Sequence, residues 1–213
     1  MKNIITQEIA SPKPSALKNR GTVLRDKSTI PLEARTDLTI SEVEALGITE
    51  PYELIDGRII FKMAYAKHGT FLSEITIDLG IYLRQHPIGT LITDITLSLS
   101  PDDEQNLRRP DLAFYLNENA PTADEPATRA PDLAVEIFTS DSGFLTLLDK
   151  ADLYLSKGSK VVWIVIPAKA SVLVWKAIER RWEYETLTCP ELFSGWSLDL
   201  KKFFVWPKPT TVK

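Results

Sequence analysis

The sequence contains one cysteine, Cys189, and lacks both a long apolar run and an excess of positive charge. A single cysteine excludes an internal disulfide framework and suits a reducing compartment. No run of about 18 apolar residues is present, so we predict no transmembrane helix. Residues 1–27 lack the continuous apolar segment of a secretory signal, and we expect a cytoplasmic protein.

The formal net charge of -4 argues against non-specific binding of polyanions. It does not exclude a nucleic-acid substrate, because local basic patches or a bound cation can meet the phosphates. The 213 residues are 44% hydrophobic and 25% charged, which is typical of a soluble protein with one main domain. We predict a flexible N-terminal arm over residues 1–36, a single domain over residues 37–206 and a C-terminal tail over residues 207–213.

Two short apolar segments, predicted as strands, each carry a carboxylate where burial is expected. Counting by two along the first places Asp111 on the same face as Ala113 and Tyr115. Counting along the second places Glu136 on the face of Ala134, opposite the larger aliphatic side chains. The small alanines leave room for a hard cation, and Mg²⁺ typically uses one or two carboxylates with water and phosphate oxygens.

Each of these residues has a simpler interpretation when it is taken alone. An aspartate at a strand start, such as Asp111, is more often solvated, and a lysine such as Lys150 most often lies on the surface. Glu136 is harder to explain in that way, because ionised carboxylates are rarely buried without a partner. The combination of all three favours a functional site, because a metal and a lysine can activate water and stabilise charge on a phosphodiester.

Helical spacing of apolar residues predicts two long helices, and a capping signal predicts a short helix before them. Ser41 and Glu44 have the spacing of a capping box and predict a short helix. A second helix is predicted from His68 to about Gln85, and Pro87 ends it. His68 at its N-terminus is interpreted as a capping or surface residue, or as a group beside a phosphate at the helix dipole.

The third helix is predicted over residues 144–155 and stops at Gly158. Lys150 borders its apolar face, so the long side chain can lie over the sheet while the ammonium group reaches the carboxylates. On this basis Lys150 is a candidate for the positive charge at the site.

Turn signals and alternation predict the remaining strands. Asp56-Gly57 predicts a hairpin whose first arm carries Glu53, and from the residues alone we expect Glu53 to be exposed and paired across the hairpin. Residues 89–100 alternate as a half-buried strand, with Asp94 on the polar face. The remaining predicted elements are a fully covered strand over residues 161–166, a hairpin over residues 171–175 and 182–187, and a short helix over residues 198–204.

From His68 onward the predicted order is helix, strand, strand, strand, helix, strand. This αβββαβ order indicates an α/β (α+β) fold with a mixed central sheet flanked by helices, together with an added hairpin near each end.

That order, with Pro110-Asp111, Glu136 and Lys150, resembles the PD-(D/E)XK nuclease superfamily. More narrowly, the sequence is similar to the bacterial Uma-two family of restriction-endonuclease-like proteins over residues 38–204. The matching stretches are residues 52–57, His68-Gly69, residues 109–114, residues 132–137, Lys150 with Tyr154, and residues 158–165.

The resemblance implies a restriction-endonuclease-like core and a Mg²⁺- or Mn²⁺-dependent endonuclease that hydrolyses DNA phosphodiesters with metal-activated water. It implies that Asp111 and Glu136 ligate the metal and that Lys150 orients the attacking water or stabilises the phosphate. Glu53 and His68 would lie at the edge of the site as auxiliary ligands or acid–base groups. Asp94 is a weaker candidate.

The alternative is a weak or inactive nuclease-fold module that binds nucleic acid or a protein partner. It is favoured by Phe138, which stands two positions after Glu136 where the simplest superfamily pattern has lysine. A purely structural domain is a third interpretation and predicts no dependence on metal. A homodimer would suit cleavage of both strands, and the hairpin bearing Trp175 and Trp182 is the candidate interface.

Overall fold

The computed structural model describes residues 30–62, 65–100, 102–122, 125–139 and 143–205. The helices are α1 (Ile40–Ala45), α2 (Ala66–Gln85), α3 (Phe144–Ser156) and α4 (Leu200–Phe203). The strands are β1 (Tyr52–Ile55), β2 (Arg58–Phe61), β3 (Gly89–Thr93), β4 (Leu112–Leu116), β5 (Leu133–Ile137), β6 (Val161–Ile166), β7 (Ser171–Trp175), β8 (Arg180–Glu183), β9 (Thr186–Thr188) and β10 (Ser197–Asp199).

The main sheet has six strands in the order β3-β4-β5-β6-β7-β8. Neighbouring strands are antiparallel except β5 and β6, which are parallel and are connected through α3. Every residue of β6 is buried, as its continuous apolar run predicts for a strand covered on both faces. The predicted order, α2-β3-β4-β5-α3-β6, is confirmed.

The two faces of the sheet support separate hydrophobic clusters, and alternation assigns the β5 residues to them. Leu133, Val135 and Ile137 belong to the cluster that includes apolar residues of α2. Ala134 belongs to the cluster that includes Leu147 and other residues of α3. The strand therefore points Glu136 toward the α3 side, as the period of two predicts.

The hairpin of β1 and β2 turns at Asp56 and Gly57, whose φ angles are 48° and 72°. Positive φ at both positions suits a two-residue hairpin turn. A Cβ on Gly57 would lie 2.8 Å from the carbonyl oxygen of Thr36, so glycine also permits a close backbone approach. Leu54 and Leu107 exchange backbone hydrogen bonds and fix the hairpin to the segment that leads into β4.

The sequence prediction placed the cap of α1 two residues too late. The capping box consists of Thr39 and Glu42: the Thr39 side chain accepts from the Glu42 N–H, and the Glu42 carboxylate accepts from the Thr39 N–H. Ser41 instead donates to Glu104 at 2.9 Å. The spacing rule was satisfied by both pairs, and only the position of the first helical residue distinguishes them.

The predicted strand over residues 89–100 ends early, at Thr93. Asp94 follows with φ of 54°, so the chain leaves the sheet although the alternation of apolar residues continues. Leu97 and Leu99 are still buried, but they pack from an irregular segment on the α3 side of the sheet.

The predicted C-terminal hairpin is confirmed for β7 and β8, but its second arm does not continue to residue 187. Residues 186–188 form β9, which pairs with β10 in a separate two-stranded sheet. Trp175 is 3% exposed and stacks under the guanidinium of Arg180, 3.7 Å from the ring centroid, so it is a core residue. Trp182 is 39% exposed, and its role in a dimer stays a prediction.

The predicted arm lies outside the described residues as far as residue 29, and the tail over residues 207–213 lies outside them entirely. Within the described part of the arm, Leu32–Ala34 forms a turn of 3₁₀ helix, and Arg35 is ion-paired with Asp37 and Glu42. No helix in the described part of the chain has the length and apolar character needed to cross a membrane.

Candidate active site

Two buried carboxylates face each other across β4 and β5. Leu112 pairs with Val135, so extending the register by one residue places Asp111 opposite Glu136. Asp111 is 3% exposed and Glu136 is 2% exposed. The N–H of Ile137 donates to Asp111 Oδ2 at 2.7 Å and ties the start of one strand to the end of the other.

Asp111, Lys62 and His68 form a group that we call the Asp111 cluster. Lys62 follows β2, and its ammonium donates to Asp111 Oδ1 at 2.6 Å and to the Arg109 carbonyl at 2.7 Å. His68 lies in the first turn of α2, with Nε2 3.0 Å from Asp111 Oδ2. Burial favours the neutral acid, but the hydrogen bond from His68 and the charge of Lys62 together hold the pKa of Asp111 well below its ordinary value.

Lys150, Glu53, Glu136 and Tyr154 form a second group, the Lys150 cluster. The ammonium of Lys150 lies 2.8 Å from Glu53 Oε1 and 2.7 Å from Glu136 Oε1, and its side chain is 6% exposed. The hydroxyl of Tyr154, one helical turn further along α3, donates to Glu136 Oε1 at 3.0 Å. The N–H of Arg109 donates to Glu53 Oε1 at 2.7 Å.

Burial and charge together shift the pKa values of the two carboxylates of the Lys150 cluster in opposite directions. Burial raises the pKa of Glu136 and is only partly opposed by the charge of Lys150. Burial also acts to raise the pKa of Glu53, but the charges of Lys150 and Lys62 outweigh it and lower that pKa. Burial lowers the pKa of Lys150, yet the two carboxylates outweigh it, so the pKa is raised and Lys150 remains a cation.

A cavity of about 370 Å³ opens over both clusters. Its lining includes six titratable side chains, Glu53, Lys62, His68, Asp111, Glu136 and Lys150. The rest of the lining is mostly apolar and includes Ile55, Ile60, Phe61, Tyr65, Ile137 and Leu147. The lining therefore combines charged and apolar side chains, and it includes the partly exposed Tyr65 (49% exposed) and Ile60 (45% exposed).

All five predicted site residues, Asp111, Glu136, Lys150, Glu53 and His68, line this one cavity. The expectation from the residues alone that Glu53 is exposed and paired across the hairpin is wrong. Its exposed fraction is 5%, and its cation is Lys150 on α3. The weaker candidate, Asp94, is exposed at the end of β3 and does not line the cavity.

Sequence reasoning missed Lys62 and assigned no role to Tyr154. Lys62 directly follows the second arm of the hairpin, and nothing in its local sequence connects it with Asp111. Tyr154 was identified only as part of a matching stretch, although its spacing of four from Lys150 places both on one face of α3. Phe138, which stands where a lysine was expected, packs edge-on against Phe144 at a centroid distance of 5.4 Å.

A second buried aspartate mirrors Asp111 at the opposite end of the same strand pair. Asp132 precedes β5 and accepts from the Leu116 N–H at the end of β4 at 2.9 Å. The pairing of Ala113 with Ala134 makes the two ends equivalent by an approximate two-fold rotation. The side-chain amide of Asn119 donates a hydrogen bond to Asp132, and the ammonium of the half-exposed Lys160 lies 3.4 Å from Asp132. Asp132 does not line the cavity.

The donor chemistry of the cavity fits a hard divalent cation held by few protein ligands. Among the described residues, no three His, Cys, Asp or Glu side chains are grouped as a ready metal cluster. Asp111 and Glu136 supply carboxylate oxygens on adjacent strands, and a hard cation such as Mg²⁺ is commonly held by one or two carboxylates with water. Cys189, the single cysteine, is buried elsewhere and does not line the cavity, so soft-metal ligation is not suggested.

Comparison with known proteins gives a family and a fold. The model of the Uma2 family, described as "Putative restriction endonuclease", matches residues 42–203. The structure is similar to the crystal structure of a "putative nuclease belonging to DUF820" from Anabaena variabilis ATCC 29413, with a TM-score of 0.68 and 23% identity. That match covers 78% of this chain and 97% of the other, and at this identity it supports the fold alone.

A cryo-electron microscopy structure of a DrdV–DNA complex also matches, with a TM-score of 0.31 and 13% identity over 64% of this chain and 12% of the other. A similarity this weak shows neither a shared fold nor a shared activity. A search of curated proteins found no match. The family match spans both carboxylates, the hairpin and the lysine-bearing helix, and the chain therefore belongs to the Uma2 family with a restriction-endonuclease-like fold.

Proposed function

We propose that the protein is an endonuclease that hydrolyses DNA phosphodiester bonds with a divalent cation, Mg²⁺ or Mn²⁺, held by Asp111 and Glu136. The observation that carries the proposal is the pair of buried carboxylates facing each other across adjacent strands beside a buried lysine. The description of the family supports a nuclease, whereas DNA and the cation are proposed from the chemistry of the cavity.

A divalent cation, when bound, supplies Lewis acidity and neutralises charge on the scissile phosphate. Lys150 supplies a second, permanent positive charge, because its raised pKa keeps the ammonium protonated at neutral pH. Its position 2.7 Å from Glu136 makes it suited to stabilise the negative charge that develops on the phosphate. Lys150 therefore performs the role that the simplest superfamily pattern gives to a lysine at position 138.

Glu53 and His68 act as positioning residues in this proposal. Glu53 holds the Lys150 ammonium together with Glu136, and the Arg109 N–H fixes Glu53 in turn. His68 holds one oxygen of Asp111, which the Ile137 N–H also holds. Two hydrogen bonds to one carboxylate oxygen fix its orientation before any ligand binds.

The apolar part of the cavity lining suits the sugar or base of a nucleotide. The charged side chains would meet the phosphate, while the partly exposed Tyr65 and Ile60 offer apolar surface to a sugar or base. A small anion without an apolar part would make no favourable contact with these side chains. The mixed lining therefore favours a nucleic-acid substrate.

The test is cleavage of supercoiled plasmid DNA in Mg²⁺, Mn²⁺ or EDTA. We expect wild type to nick the plasmid and EDTA to abolish the nicking. The rate of nicking should fall by at least about a hundredfold in Asp111→Asn and Glu136→Gln, because each variant loses a carboxylate that would hold the cation. The matched control is Asp132→Asn, which alters an equally buried aspartate on the same strand pair and should retain nicking. Nicking that survives in EDTA, or in Asp111→Asn, would contradict the proposal.

The second candidate is a nuclease-fold module that binds nucleic acid without cutting it. One observation favours it: Lys62, His68 and the Ile137 N–H already occupy both oxygens of Asp111. This candidate predicts that an oligonucleotide binds equally well in Mg²⁺ and in EDTA, measured by fluorescence anisotropy, and that no metal or DNA form yields cleavage.

A further inference from the structure

Lys62 occupies two oxygen atoms that also suit a hard cation. Its ammonium lies 2.6 Å from Asp111 Oδ1 and 2.7 Å from the main-chain carbonyl oxygen of Arg109. Carboxylate and carbonyl oxygens are the donors that hard divalent cations prefer. An ammonium group and a divalent cation therefore compete for the same side of Asp111.

The surroundings allow the ammonium to leave without disturbing the carboxylate. The side chain of Lys62 is 22% exposed and lines the cavity, whereas that of Lys150 is 6% exposed and is bound to two carboxylates. The other oxygen of Asp111 stays fixed by the Ile137 N–H and by His68. A lysine also has a long, flexible side chain, so its ammonium can move several ångströms into the cavity while the backbone stays in place.

The positive charge of Lys62 stands in for a cation that the buried carboxylates of the site require. The charge of Lys62 acts on Asp111, Glu53 and Glu136, and it favours the ionised form of each of these carboxylates. When the site holds no other cation, Lys62 thus neutralises repulsion among buried carboxylates. A divalent cation at Asp111 would neutralise the same carboxylates and would repel the Lys62 ammonium.

We propose that Lys62 is an internal counter-ion that holds the Asp111 side of the site until a divalent cation displaces it, an inference that rests on the proposed function. Displacement would free the ammonium within the cavity that Lys62 lines, where it would serve as a phosphate-binding group. Metal entry and substrate binding are then ordered: the cation binds first, and the phosphate binds to a cavity that has gained an unpaired lysine.

The experiment measures Mn²⁺ binding to the full chain by isothermal titration calorimetry, without DNA. Lys62→Met should bind Mn²⁺ roughly tenfold more tightly than wild type, because one positive charge no longer opposes the cation in a partly buried site. Lys62→Gln gives a second neutral variant, with the same expectation, should Lys62→Met not fold. Lys62→Arg, which keeps the charge, should bind no more tightly than wild type.

The matched control is Lys160→Met, which removes the lysine beside Asp132 and should leave Mn²⁺ affinity unchanged. A thermal melt gives a second readout: Mn²⁺ should raise the Tm of Lys62→Met more than that of wild type. Equal or weaker Mn²⁺ binding by the folded neutral variants, with binding intact in wild type, would overturn the counter-ion and leave the proposed metal site standing. Absence of Mn²⁺ binding in wild type and in the neutral variants, all of them folded, would overturn both.

Discussion

Strands β4 and β5 are entered through the same four residues, Pro-Asp-Leu-Ala, at positions 110–113 and 131–134, so one copy lies at each end of the antiparallel pair. Both aspartates are buried, and each accepts a hydrogen bond from an N–H at the far end of the partner strand. Asp111 meets Lys62, His68 and a cavity, whereas Asp132 meets Asn119 and a lysine on the surface.

The difference shows which part of the motif is structural. A Pro-Asp pair before an antiparallel strand places a carboxylate where it satisfies a backbone N–H of the neighbouring strand, and both ends use it in this way. What makes one end a candidate active site is the set of groups that the hairpin, α2 and α3 bring to it. The two ends thus form an internal control, and variants made in pairs separate stability from activity.

The largest expected effect is the loss of the buried cation. Lys150→Met leaves Glu53 and Glu136 without a counter-ion in a buried site, and we expect the free energy of unfolding to fall by about 3–5 kcal/mol. The paired variant Lys160→Met removes a half-exposed lysine beside Asp132 and should lower it by less than about 1 kcal/mol. Urea denaturation of both variants measures the difference, and equal losses would show that the two ends are equally dependent on their lysines.

The next effect is loss of the aspartates themselves. Asp111→Asn and Asp132→Asn should each destabilise the fold by roughly 1–3 kcal/mol, because each weakens hydrogen bonds to a buried carboxylate. Similar losses of stability together with a selective loss of Mn²⁺ binding in Asp111→Asn would separate the shared structural role from the site. Mn²⁺ affinity reduced equally in both variants would refute this separation.

The third test uses pH. The pKa of Asp111 is held below the ordinary aspartate value of about 3.9, so its stabilisation is complete above that pH and is lost as the pH falls through the folded-state pKa. Each unit by which folding lowers the pKa of Asp111 contributes about 1.4 kcal/mol to the free energy of unfolding. We expect unfolding free energies measured from pH 5 downward to fall more steeply in wild type than in Asp111→Asn. Parallel curves for the two proteins would argue against the lowered pKa.

The smallest effect concerns one hydroxyl at each end. Tyr154 donates to Glu136, and Tyr115 donates to the Arg129 carbonyl near Asp132, both at 3.0 Å. Replacing either tyrosine by phenylalanine should reduce stability by about 1 kcal/mol. Plasmid nicking should fall in Tyr154→Phe and remain unchanged in Tyr115→Phe, and a loss of nicking in both would trace the effect to the fold.

Elements defined by residues close together in the chain were predictable from the sequence. The turn at Asp56-Gly57, the covered strand β6 and the end of α3 at Gly158, whose φ is 106°, all follow from local conformational preference or from an apolar run. The alternation in β5 likewise assigned Glu136 to the correct face, and helical spacing brought Lys150 over it.

Features that depend on distant partners were not predictable in this way. The burial of Glu53 makes sense only once Lys150 and the Arg109 N–H are beside it, and no local pattern supplies either. Lys62 lies 49 positions from Asp111, so its role appears only after the hairpin docks beside β4. The early end of β3 was missed because a positive φ at Asp94 leaves no trace in the apolar pattern.

The β1–β2 hairpin contributes Glu53 to the Lys150 cluster and carries Lys62, just beyond its last strand residue, into the Asp111 cluster. It therefore brings one negative and one positive charge and leaves the electrical balance of the site unchanged. Yet each charge completes a different cluster, so a shift of this one small element would loosen both clusters together. One hairpin thus holds both clusters, and the reciprocal backbone hydrogen bonds between Leu54 and Leu107 attach it to the segment that leads to Asp111.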